Sequence, residues 1–129
     1  MRLTLHLGLE PIPANLPPPL TGPGIGALAE FRGLVRGEEQ GHPIAGLVYE
    51  AYQPMAEREI TRIVDELVTA HPCLAVHIHH RLGSIPVGET AIYVGVVSRH
   101  RAEAFAVLAG FMDRLKIDVP IWKIDAIRA

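Results

Sequence analysis

The segment LKIDVPIWK holds both lysines of the chain, Lys116 and Lys123, while the ten other positions of fixed positive charge are all arginine. The distinction is chemical. Arginine stays protonated and offers anions a fixed fork, whereas a partly desolvated lysine loses its proton more readily and then serves as nucleophile or base. Two amines flank a proline and the only tryptophan. If the extended stretch after Pro120 turns back beside the preceding helix, the amines share one pocket and each favours the neutral form of the other.

Upstream, SRHRAEAF opens a helical stretch. With Ser98 as its cap, His100 and Arg101 fall in the first turn, where free backbone N–H groups and the helix dipole already favour an anion. Cations there are unfavourable unless something negative binds or Glu103 compensates them. Arg32 and Arg36, in FRGLVRG, lie four residues apart and so on one face of a strand. Neighbouring glycines would allow a ligand close to the backbone.

Other candidates carry weaker chemistry. In HIHH, His77 and His79 face one way along a strand and His80 the other, with no cysteine or carboxylate at zinc-like spacing, so no metal is assigned. The single cysteine, Cys73, cannot form an internal disulfide and reads as buried filler. A phosphate loop, dinucleotide fingerprint, serine elbow and zinc-histidine helix are all missing, and no resident cofactor is expected.

These residues need a scaffold. At 129 residues, 49% hydrophobic and 20% charged, the chain is sized for one domain spanning residues 1–129. A net charge of -2 gives no reason to expect a nucleic-acid surface, and without a secretory leader or spanning apolar run a cytoplasmic, membrane-free protein is expected. RLTLHLG alternates as a strand, and the proline-rich PIPANLPPPLTGPG excludes regular structure and should hug the domain. GALAEFRGLVRG is expected to pair as a hairpin with IAGLVYEAY. QPMAEREITRIVDELVTAHP has helical period, with Pro54 in its first turn and Pro72 as its stop. CLAVHIHHRLG and TAIYVGVVS read as strands joined through SIPVGE, the second central in the sheet. A second helix over about 101–116 should bury Phe105, Leu108, Ala109, Met112 and Leu115, and VPIWKIDAI is extended. The sum is an α+β sandwich, mostly antiparallel, with helices on one face.

Taken in order, FRGLVRG, LVYEAYQPMAE, HRLGSIPVGE, YVGVVSRHRAEAF and LKIDVPIWK resemble the large, catalytic subunit of molybdopterin synthase. The resemblance runs from about Gly26 to Lys123. It implies an α/β hammerhead fold and a homodimer within a heterotetramer, with a small ubiquitin-like sulfur-carrier subunit at each outer end. It also implies that the carrier's C-terminal Gly-Gly thiocarboxylate delivers sulfur to cyclic pyranopterin monophosphate, forming the dithiolene. By position, Lys116 resembles the principal catalytic lysine and Lys123 a supporting amine. His100 and Arg101 look like part of the pocket for the precursor phosphate, and Arg36 like another positive wall of it. The family pattern usually continues after PIWK with a basic residue and a glutamate, where this chain has Ile124 and Asp125; a proline-rich stretch replaces a short early helix, and the family's longer tail has no counterpart here. The alternative reading is a noncatalytic carrier-binding scaffold.

Overall fold

Strand β1 (Arg2–Gly8) opens a computed structural model that describes residues 1–129. It is followed by β2 (Ala27–Leu34), β3 (Glu38–Glu39), β4 (His42–Ala51), α1 (Gln53–Ala70), β5 (Ala75–Arg81), β6 (Gly83–Pro86), β7 (Thr90–Ser98), α2 (Arg101–Asp118) and β8 (Ile121–Arg128). The larger sheet has the order β1-β5-β7-β2, with β1 parallel to β5 and the other neighbours antiparallel. The smaller sheet is built on β4, which pairs antiparallel with β3, β6 and β8. The fold is α+β with antiparallel pairing dominant. Neither helix is long and apolar enough to cross a membrane.

Strand β7 is central because its side chains are apolar on both faces, and all but its first residue are buried. One sheet face takes both helices. Ile60, Ile63 and Val64 of α1 and Val107, Phe111 and Leu115 of α2 pack with Val76, Ile78, Val94 and Val96 in the main core. A second cluster, including Val35, Ile44, Leu47 and Ile85, fills the smaller sheet's inner side.

The expected hairpin between β2 and β4 does not form. Strand β2 lies along β7 instead, where it covers an apolar edge, and its register slips between Gly33 and Leu34 as the chain leaves for the second sheet. The tight turn belongs to β3 and β4. Gln40 and Gly41 both have positive φ, 51° and 81°, the two-residue geometry whose twist suits a hairpin. The connection SIPVGE likewise contains a strand of its own, β6.

The second helix runs as far as Asp118, but its buried phase differs from the expected one. Ala104, Val107, Phe111 and Leu115 point into the core, Leu108 and Met112 pack at its margin, and Phe105 is 62% exposed, with Ala109 also on the outer side. The proline-rich segment has no regular structure and does lie against the domain. Its Pro13 and Ala14 carbonyls each accept a 2.9 Å hydrogen bond from the Arg32 guanidinium, and Ile12 is buried.

Candidate functional site

The end of α2 decides where the two amines meet. Pro120 disfavours a helical conformation at the residue before it, and Val119 is extended, with φ -97° and ψ 128°. The chain reverses there. The Tyr52 N–H donates to the Pro120 carbonyl at 3.1 Å, which ties the start of β8 to the end of β4. Pairing of Ala51 with Ile121, Glu50 with Trp122 and Tyr49 with Lys123 then carries Lys123 back beside the last turn of α2, where Lys116 sits.

Both lysines line one cavity of about 280 Å³ at the seam between the two sheets, and Arg36 lines it as well. Its apolar walls draw on both clusters, Leu115 and Ile92 from the main core and Val35 and Leu47 from the smaller. A site at such a seam combines an apolar lining with a few convergent polar groups. The amines differ in their surroundings. Lys123 Nζ donates to Glu39 Oε2 at 2.9 Å, so its charge is compensated from β3. Lys116 and Arg36 form no ion pair within the chain. With Glu38 as the one unpaired carboxylate of the lining, three cations against two carboxylates leave the cavity net positive, the disposition that receives an anion.

His100 and Arg101 lie elsewhere in the same chain. At about 1.5 Å of rise per residue, α2 carries Arg101 about 22 Å from Lys116. His100 is itself the N-cap residue, with extended backbone and no side-chain cap, and Ser98 does not cap the helix: its hydroxyl donates to the His100 carbonyl. Arg99, His100 and Glu103 line a separate depression beside Cys73. Arg99 and Arg101 lack an ion-pair partner, so this helix start is also positive.

Arg32 and Arg36 do not share a face. The register slip at Gly33 and Leu34 breaks the alternation between them. Arg32 stacks over the Tyr93 ring, 5.0 Å from its centroid, and bonds to the proline-rich segment and to Thr90, whereas Arg36 lies past the end of β2 at the cavity.

Three histidines gather on the sheet face away from the helices. The His6 ring lies 5.3 Å from that of His79 and 6.0 Å from that of His77. Burial holds His77 and His79 toward the neutral form, as does the proximity of His6. Burial acts in the same direction on His80, across the sheet. An unfolded chain would bind protons at all three near the ordinary value of 6.5, which the folded chain resists. The stability these groups contribute is therefore complete above that value and is lost as pH falls from there through the lowered folded values. Thermal melts followed by circular dichroism should show Tm falling below about pH 6.5, and His77→Gln with His79→Gln should flatten that fall.

The matched region of the family model described as "MoaE protein" is residues 13–118, most of the chain. The chain belongs to the MoaE family. It is 42% identical over 98 residues to the molybdopterin synthase catalytic subunit of Pyrococcus abyssi, a match covering 76% of this chain and 66% of that one. It is 40% identical over 101 residues to the human catalytic subunit, covering 78% of this chain and 54% of the human one. The chain thus spans between half and two-thirds of the length of these relatives. The crystal structure of molybdopterin synthase from Staphylococcus aureus superposes with a TM-score of 0.83 at 32% identity, covering 96% of this chain and 90% of that one.

The cavity includes residues that the sequence did not mark for function. Tyr49, Met112 and His80 all line it. For His80 a signal existed: the alternation in HIHH turns it toward the helices, away from His77 and His79.

Proposed function

We propose that this chain is the catalytic subunit of a molybdopterin synthase, moving sulfur from the C-terminal thiocarboxylate of a small ubiquitin-like carrier to cyclic pyranopterin monophosphate. The observation that carries the reading is the convergence of Lys116, Lys123 and Arg36 on one cavity in a chain of the MoaE family. Lys116 acts as the principal amine, because no carboxylate in the chain pairs with it. Lys123, steadied by Glu39, holds negative charge on the reacting groups. Arg36 adds a bidentate anion contact. The cavity suits the narrow end of a protein tail: two glycines carry no side chains and let a thiocarboxylate reach the amines along an extended path.

His100 and Arg101 fit the same scheme only if they come from a second copy. The separation along α2 keeps them from the lysines of their own chain, and a homodimer would present one chain's positive helix start to the other's cavity. The whole assembly is then a heterotetramer with a carrier at each outer end.

The test of the reading uses a carrier lacking its last two glycines. It should still dock, as measured by calorimetry, and yet give no sulfurated product by mass spectrometry, since its reactive end no longer reaches Lys116. Product formation at the normal rate from that truncated carrier would contradict the geometry.

A further inference from the structure

The cavity's cations, Arg36, Lys116 and Lys123, only donate. Of its two carboxylates Glu39 is taken by Lys123 and Glu38 is unpaired but exposed, and the Tyr49 hydroxyl both donates and accepts. His80 is different. It is 5% exposed, and its Nδ1 lies 2.8 Å from the Arg81 carbonyl. A carbonyl oxygen accepts only, so Nδ1 must carry the proton, and in the neutral ring the Nε2 lone pair is left over as an acceptor. No group of the chain donates to Nε2, and that atom is absent from the fully enclosed polar atoms that lack a partner, so it keeps some exposure on a ring that lines the cavity.

The ring is held from two further sides. Tyr49 packs edge-on, with ring centroids 5.3 Å apart. Arg81, whose carbonyl fixes the tautomer, is itself pinned by a 2.6 Å ion pair to Glu89 across the turn after β6. An accessible acceptor that the chain leaves unpaired is free to take a hydrogen bond from a ligand or a water.

We propose that His80 is a specificity-determining residue of this cavity, its Nε2 accepting a hydrogen bond from an N–H of the heterocyclic substrate. This rests on the function proposed above. A phosphorylated pterin brings both features the lining calls for: an anion for Arg36 and the lysines, and a ring edge of N–H and NH2 donors for a fixed neutral acceptor. Burial, which disfavours the imidazolium, keeps the acceptor available near neutral pH. A site built around such an acceptor rejects analogues that lack the matching donor, because a bound analogue then covers the nitrogen without pairing it.

The experiment has two readouts on the complete chain. In single-turnover transfer with saturating thiocarboxylated carrier, His80→Phe should raise the precursor concentration for half-maximal rate about ten-fold, with the rate at saturation changed less than about two-fold. His80→Gln, which keeps an acceptor oxygen near the position of Nε2, should recover much of the lost affinity. The half-saturating carrier concentration should not move in either variant. In the second readout, cyclic pyranopterin monophosphate alone is added to wild-type chain labelled with nitrogen-15 at histidine, and the Nε2 resonance of His80 should shift as the precursor binds. Precursor binding with that resonance unmoved, or unchanged half-saturation in a folded His80→Phe, overturns the role of His80 and leaves the sulfur-transfer reading standing. A wild-type chain that neither binds the precursor nor sulfurates it overturns both.

Discussion

Replacing Lys116 with alanine should lower the single-turnover rate of sulfur transfer by on the order of 10²-fold or more, while folding and carrier affinity stay near wild type. The residue sits on the exposed side of the last turn of α2, so removing its amine opens no hole in the core, which Leu115 fills from the neighbouring position. Lys116→Arg should not rescue. Arginine would keep the positive charge facing the cavity, but it neither gives up a proton nor attacks a carbonyl at neutral pH. Lys123 provides the contrast. Its amine already pairs with Glu39, a contact that arginine can also make, so Lys123→Arg should retain more activity than Lys123→Ala. Near-normal transfer by a folded Lys116→Arg variant would remove the case for a deprotonatable amine at that position.

The second large effect concerns the distance along α2. Chains carrying Lys116→Ala should be inactive, and so should chains carrying His100→Ala with Arg101→Ala. Co-expressed with separate affinity tags and allowed to pair at random, the two should together recover about a quarter of wild-type activity. Half of the dimers would then be mixed, and each mixed dimer would hold one site with an intact lysine from one chain and an intact basic pair from the other. If the basic pair served the lysines of its own chain, no mixed site would be whole and activity would stay at the level of the parents. In such a dimer the anion that the positive helix start favours would come from the substrate held in the other chain's cavity.

How far the sequence disclosed this arrangement varies with the residue. The meeting of Lys116 and Lys123 was legible because a single local constraint governs it: a proline two residues past the helix end favours extension, and the apolar run after it has to find a sheet edge. Helix α1 was legible from its apolar spacing and the prolines near its ends. The phase of α2 was not, because apolar residues occupy several sides of that helix. Phe105 and Ile117 stay exposed while the small Ala104 is buried, so the pattern did not single out one face. The partner of β2 was hidden for another reason. Strand pairing is a long-range choice, and the glycine-bounded turn that suggested a hairpin serves the two residues of β3 instead. Arg32 and Arg36 show the same limit on a smaller scale, since one register slip undoes the alternation on which a shared face depends. His80 was half legible: its side of the strand followed from alternation, but its place in the cavity required the second sheet.

The measurement that bears most directly on the central claim is mass spectrometry of a single turnover in which the wild-type chain is given thiocarboxylated carrier and cyclic pyranopterin monophosphate. The account predicts the dithiolene product, with loss of the sulfur from the carrier's C-terminus. Carrier bound to the chain with no product, under conditions where a complete synthase converts the same precursor, would contradict it and make this chain a carrier-binding scaffold.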